Sequence, residues 1–264
     1  GRACGAEEVS SVKRLNAVLF TALAVIFLLP VAATVVLSFS VDGAASLQGW
    51  GDLLFDCFVF YPQFWNSVIY AVVITLVQLV VIIPCAFGFS QAKFRGKGAL
   101  FVFYIILMMM PLQVTILPNY IGLRDMGLIN TPFAIILPAI FSPFGVVVMN
   151  QYMKNIDGSV IEAARLETNS VVRIMLVSVV PQLRVCIFAV ALFVFADCWN
   201  MLEQPMLFLR DTSLQTVPVF ISNAAEYAGS VMFPAAVIFM VPVLLIYLFF
   251  SENLEKGLTF GDLS

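Results

Sequence analysis

Six stretches of predominantly apolar residues constrain this chain more than any other feature. They lie at about residues 15–39, 67–89, 99–120, 132–152, 185–208 and 232–250. A helix needs roughly 20 such residues to cross the hydrocarbon core of a bilayer. In that medium every backbone N–H and C=O must be bonded within the protein, and runs of this length satisfy that as helices. Composition agrees: 62% of the residues are hydrophobic and 11% charged, against about 45–50% and about 25% in an average soluble domain. The expectation is an all-α, polytopic membrane protein, with residues 1–264 forming one transmembrane domain of six helices. Pro138 and Pro143 interrupt the fourth run. The first run resembles a signal peptide, but its length of about 25 residues exceeds the roughly 7–15 of a signal core, so a retained anchor is expected.

Several function classes drop out at once. The chain has no histidine, so it has no histidine base and no histidine metal ligand. Its five cysteines are scattered, with no CxxC pair, and imply neither a disulfide framework nor a zinc site. A net charge of −3 gives no case for nucleic acid. The sequence contains no G-x-x-x-x-G-K-[ST] phosphate loop.

Orientation follows from lysine and arginine in the short loops. With the N-terminus in the cytoplasm, eleven basic residues fall on that side: Arg2, Lys13, Arg14, Lys93, Arg95, Lys97, Lys154, Arg165, Arg173, Arg184 and Lys256. Only Arg124 and Arg210 fall on the other. Both termini are therefore expected in the cytoplasm, and segments 40–66, 121–131 and 209–231 outside. The outer segments carry Asp42, Asp52, Asp56, Asp125, Asp211 and Glu226.

The longest cytoplasmic segment, about residues 154–181, is amphipathic and mixed in charge. Asp157-Gly158-Ser159 is a turn and cap signal, and Ser159 with Glu162 fits a capping box. Ile161 to Glu167 are strong helix formers, so a short helix ending near Thr168 and Asn169 is expected. Ile161, Ala164 and Leu166 give it a partial apolar face. A second amphipathic stretch, residues 171–180, leads to Pro181 and the fifth run.

This segment resembles the EAA loop of ABC-importer permeases. Glu162-Ala163-Ala164, then Glu167 at the acid position, Asn169-Ser170 and Val179-Val180-Pro181 follow that pattern in order and spacing. Thr168 stands at the usual Gly and Val180 at the usual Leu. The first substitution bears on the turn after the helix, because Gly adopts positive φ at little cost. Other stretches are similar to the carbohydrate, maltose-G-like branch of these permeases: Phe94-Arg95-Gly96-Lys97, Gly127-Leu128-Ile129-Asn130-Thr131, Trp199-Asn200 with Pro205, and Lys256-Gly257-Leu258-Thr259-Phe260-Gly261. Together they cover most of the chain from about residue 66 onward.

The resemblance implies a type I, MetI-like fold with a cytoplasmic coupling helix, in a prokaryotic cytoplasmic (inner) membrane. It implies a transport subunit rather than an enzyme, with no cofactor of its own; ATP and Mg belong to partner ATPase subunits. The implied partners are a second homologous permease, two ATPase subunits, an extracytoplasmic solute-binding protein and a sugar. Glu162, Ala163, Ala164, Arg165, Glu167 and Thr168 become the ATPase-docking candidates. A solvated helix face is the plainer account of the same residues.

Asp197 is the most conspicuous charge within a span, where a carboxylate costs about 2.5–3.5 kcal/mol on insertion scales. Asp197, Asn200 and Gln204 recur at spacings that share one helical face, a candidate wall of the solute path. The other account is a structural hydrogen-bond network. Ser67, Thr75 and Gln78 recur likewise in the second span, where Ser and Thr commonly bond helix carbonyls instead. Met108-Met109-Met110 points in three directions and reads as packing. Two rival functions stay open: an ion-coupled carrier or channel with Asp197 as coupling site, and an ABC importer of a non-sugar polar solute.

Overall fold

The computed structural model describes residues 2–41, 43–227 and 229–259. Asp42, Phe260 and Gly261 of the sequence reading lie outside these residues.

Five helices among the described residues are long and apolar enough to cross a membrane: 16–37, 60–91, 133–154, 171–199 and 229–249. The third expected span is broken. Its halves, Lys97–Met108 and Leu112–Asp125, are bent by 95°. The cause is Pro111, which sits extended at ψ 147° ahead of the second half. A proline has no N–H for the helix ladder and pushes the residue before it out of the α region.

The chain falls into two compact units, Gly1–Phe58 with Asn223–Val241 and Val59–Ser222 with Pro242–Ser264. In the first unit, helix α1 (Arg2–Leu37) has no buried residue over 16–37. Its apolar side chains are thus left for lipid or another subunit. After it, Ser40–Val41 pairs antiparallel with Ala44–Ala45, the turn being made by Gly43 at φ +81°. Phe39 stacks on Trp50. Gly49 lies so close to the Ser230 carbonyl that a Cβ there would collide with it. Ser230 Oγ donates to Asp52 Oδ2 at 2.6 Å.

The second unit is organised around α2 (Phe60–Gln91). Gln63, Ser67, Tyr70, Ala71, Ile74, Thr75, Gln78, Ile82 and Ala86 form its buried stripe. Its 32 residues make a rod of about 48 Å at 1.5 Å per residue, longer than the roughly 30 Å hydrocarbon core. It starts seven residues before the expected 67. Lys97 closes its far end, donating from Nζ to the carbonyls of Ser90 and Ala92 at 3.0 Å. Gly96, at φ +84°, makes the turn into α3 (Lys97–Met108). Helix α4 is Leu112–Asp125. It ends in a Schellman arrangement, Gly127 N–H to Arg124 O and Leu128 N–H to Leu123 O, with Gly127 at φ +70°.

The fourth span consists of α5 (Phe133–Ala139) and α6 (Pro143–Lys154). Ser142 caps α6, its Oγ accepting from Gly145 N–H, with Pro143 in the first turn. Gly145 lets α6 lie directly on α2: a Cβ there would meet Ile82. Next come α7 (Gly158–Glu167) and the fifth span, α8, residues 171–199. This span starts well before the expected residue 185 and ends before the expected 208. Pro181 does not stop it. Instead α8 is wound as a π-helix over Met175–Val179 and as a 3-10 helix over Val180–Leu183 before regular α-helix resumes. The chain turns after Trp199 and forms α9 (Glu203–Phe208), then α10 (Val217–Ser222). The last helix is α11 (Met232–Thr259).

Candidate functional site

Two places concentrate the polar side chains of the second unit. The first is α7. Its N-cap is Asp157, whose Oδ1 accepts the Ser159 N–H at 3.0 Å. This corrects the capping-box reading: Ser159 lies inside the first turn, because Asp157 already occupies the cap. That hydrogen bond holds the Asp157 carboxyl below its ordinary pKa. Thr168 ends the helix in extended backbone, φ −154° and ψ 142°. No left-handed residue is needed there, so Thr serves where the resemblance suggests Gly. Its Oγ1 accepts the Ser170 N–H.

Helix α7 has one anchored side. Ile161 is 4% exposed, and the helix rests against the π-wound Met175–Val179 segment. Ala164 and Thr168 are half-buried. Glu162, Ala163, Arg165 and Glu167 are exposed, and none of the three charged ones forms an ion pair among the described residues. Leu166 departs from expectation. It is 91% exposed, on the face opposite Ile161, since five residues advance a helix by about 500°, or 140° past full turns.

The second place is a cleft of 590 Å³ bordered by α2, the break between α3 and α4, the junction of α5 and α6, and the ends of α8 and α9. Gln78, Thr115, Asn119, Ser142, Asp197 and Gln204 supply its polar lining. Asp197 also borders two smaller clefts, one of 260 Å³ with Gln78 and Ser142 and one of 420 Å³ with Asn200, Glu203 and Gln204. Asp197, Asn200 and Gln204 thus come together, though not as one helical face. Asn200 is the C-cap of α8 and bonds Ala196 O, and Gln204 arrives on the next helix. Gln78 donates from Nε2 to the Ala139 carbonyl. The Oε1 atoms of Gln78 and Gln204 are buried and unpartnered.

Ser67 and Thr75 lie elsewhere. Ser67 Oγ donates to Gln63 O and accepts the buried Val217 N–H. Thr75 Oγ1 donates to Ala71 O. Both are 8% exposed or less and face packing between helices. Thr115, Asn119 and Ser142 also belong to the cleft, although the sequence reading does not place them on the solute path. The signal for Ser142 was present, a Ser-Pro pair at a helix start. Among the described residues no cluster of acidic or thiol side chains suits a metal ion.

Comparison with known proteins places this architecture. The structure superimposes with a TM-score of 0.80 on a bacterial ABC transporter involved in the import of the acidic polysaccharide alginate, over 90% of this chain and 94% of that one, at 21% identity. The likeness is one of fold. In sequence the chain is 25% identical to the arabinooligosaccharides transport system permease protein AraQ of Halalkalibacterium halodurans, covering 77% of this chain and 74% of the relative. It is 25% identical to the sn-glycerol-3-phosphate transport system permease protein UgpE of Brucella abortus, over 74% and 71%. It is 27% identical to the lactose transport system permease protein LacG of Rhizobium radiobacter, over 79% and 80%. The profile of the binding-protein-dependent transport system inner membrane component matches residues 78–260. The chain belongs to that family: it is a multi-pass permease subunit of the cytoplasmic membrane, not an enzyme, and ATP hydrolysis sits on partner subunits.

Proposed function

We propose that this chain forms one part of the membrane pathway of an ATP-driven carbohydrate importer. The permease names of its relatives, for arabinooligosaccharides and lactose, support a sugar or oligosaccharide as cargo. In this reading α7 is the coupling helix. The observation that carries it is the division of α7 into an anchored side at Ile161 and a free side of Glu162, Ala163 and Leu166. Leu166, 91% exposed, and the exposed, unpaired Glu162 are left open to a partner, and the EAA pattern they belong to points to the ATPase. Arg165, Glu167 and Thr168 flank the docking face, and Ala164 keeps the helix close to its own subunit.

The working complex then holds this chain, a second homologous permease, two ATPase subunits that bind ATP and Mg, and an extracytoplasmic binding protein. The eleven-to-two distribution of basic residues supports both termini in the cytoplasm and α7 on the ATPase side. Asp197, Asn200, Gln204 and Gln78 border the solute path, which opens alternately to the two sides as bundles rock about a site within the membrane. Ser67 and Thr75 hold α2 in place. Residues 1–264 act as one permease despite their two compact units.

The test is Glu162→Lys in the native complex. The variant is expected to insert and fold normally, and to lose ATP-driven uptake and ATPase co-purification. Normal uptake would rule out the docking role. Uptake driven by an ion gradient without ATP would point to a secondary carrier instead.

A further inference from the structure

The charges around the cleft all have one sign. Asp197 borders all three clefts and Glu203 borders the third. Among the described residues no lysine or arginine borders any of them. The two basic residues expected on the outer side, Arg124 and Arg210, are not among the lining residues. Arg124, at the end of α4, is held by Asp125 at 3.0 Å. Arg210 follows α9, where its backbone N–H is bonded to Asn130, and its side chain does not border the cleft. Among the described residues Asp197 has no ion-pair partner.

The neutral polar groups leave that sign unchanged. Gln78 and Gln204 are each more than nine-tenths buried, and each leaves its Oε1 without a hydrogen-bond partner. In Gln78 the Nε2 end is already spent on the Ala139 carbonyl. The hydroxyl of Thr115 is spent as a donor on Leu112 O. The two Oε1 atoms lie beneath the cleft surface, and Asn119, Ser142 and Gln204 carry N–H or O–H donors on the lining. What marks this wall is therefore its charge, which comes from Asp197 and Glu203. A cleft with walls of low dielectric and charge of one sign concentrates its field and changes the capture rate of charged solutes by about 10- to 1000-fold.

We infer that this subunit's cleft selects by charge: it admits hydroxyl-rich neutral or amine-bearing sugars and repels anionic ones such as uronates and sugar phosphates. The inference rests on the solute-path reading above. It separates this chain from two of its relatives in kind, since the cargo in their names is a phosphate ester and an acidic polysaccharide. It also gives Asp197 a task. A carboxylate kept in a span without a counter-ion becomes useful when the solute brings hydroxyl or ammonium donors to it.

The test reads the cleft directly. The tagged complex is purified from its own host carrying Thr115→Cys or Ser142→Cys, with Cys198→Ala to remove the native thiol beside them. Rates of modification are measured with a trimethylammonium-ethyl and a sulfonatoethyl methanethiosulfonate, each normalised to its rate with a free thiol. The cation is expected to react about tenfold or more faster, the low end of charge focusing in a cleft. Asp197→Asn should remove most of that preference, and Asp197→Arg should reverse it. Equal rates in the parent, or a preference unchanged by Asp197→Asn, would overturn the inference. Two cysteine positions guard against one failing to fold. Uptake by the parent complex is then compared for lactose, glucosamine, galacturonate and glycerol 3-phosphate. Preferred uptake of either anion would also overturn the inference, while leaving the importer function intact. A complex that takes up no carbohydrate would sink the proposed function, and the reagent ratio would still decide the charge of the cleft.

Discussion

Asn130 Oδ1 accepts the backbone N–H of Asp211 at 2.8 Å, joining two loops 81 residues apart. The same oxygen accepts the Arg210 N–H, also at 2.8 Å, and Asn130 N–H returns a bond to Phe208 O. One side chain thereby ties the end of α9, the helix that carries Gln204, to the loop between α4 and α5. Asn130 also sits at φ 63°, a conformation asparagine tolerates better than most residues. Asn130→Ala is expected to cost about 1–2 kcal/mol and to lower the thermal midpoint of the purified complex. Asn130→Asp, which keeps the acceptor, should lose much less. Equal losses would show that the paired hydrogen bonds are not what holds this loop.

Ser67 is expected to matter for stability rather than for solute choice. Its hydroxyl accepts the buried Val217 N–H at 2.8 Å. Ser67→Ala strands that donor, at about 1–3 kcal/mol. The thermal midpoint should fall while the ranking of transported solutes stays unchanged. A changed ranking would return Ser67 to the solute path.

At the contact of α2 and α6, Gly145 has no room for a side chain because Ile82 fills it. Gly145→Ala is expected to destabilise by about 1–3 kcal/mol through overpacking. Ile82→Val in the same chain should recover part of the loss. The double-mutant cycle checks this, and additive effects would mean that the two helices do not clash there.

The two sides of α7 should respond differently. Ile161→Ala empties a buried anchor and is expected to cost about 2–4 kcal/mol, loosening α7 from its own subunit. Leu166→Ala should leave stability unchanged and weaken retention of the ATPase during purification, as truncating a central apolar contact does. A Leu166→Ala complex that keeps its ATPase at wild-type strength would remove Leu166 from the interface.

The cap of α7 is pH-dependent in a defined sense. Hydrogen bonding lowers the pKa of Asp157, so the cap contributes at all pH values above the ordinary carboxylate range near about 3.9. It fades only as pH falls through the lowered pKa. Exchange protection of the Ser159 amide should be flat from neutral pH down to that range and drop below it. Protection already lost near pH 6 would contradict the assignment.

Much of this structure is legible in local sequence, and the exceptions share a cause. The bounds of α7 follow from Asp157 and from the run of helix formers before Thr168. Their determinants lie within a few residues of one another. Pro111 marks an interruption of the third run in the sequence, but nothing local to it tells that the two halves bend by 95°. At Pro181 the reverse holds: it lies between the amphipathic stretch 171–180 and the fifth run, yet π and 3-10 winding carry one helix through it. Ser67 and Gln78 occupy one stripe of α2 and differ only in what reaches them, Val217 in one case and the open cleft in the other. Partners that far away in the chain leave no mark on the spacing. Gln204 borders the cleft by way of a turn after Trp199, which a helical wheel does not represent.

The mixed winding of α8 has a mechanical consequence. A 3-10 helix rises about 2.0 Å per residue and an α-helix about 1.5 Å. The segment Val180–Leu183 has four residues in the longer form, so rewinding it as α shortens the rod by about 2 Å. The adjoining π turn lies directly under α7. Any displacement of that short helix would therefore reach α8 first at its irregular turns, with Asp197 toward the other end of the same rod.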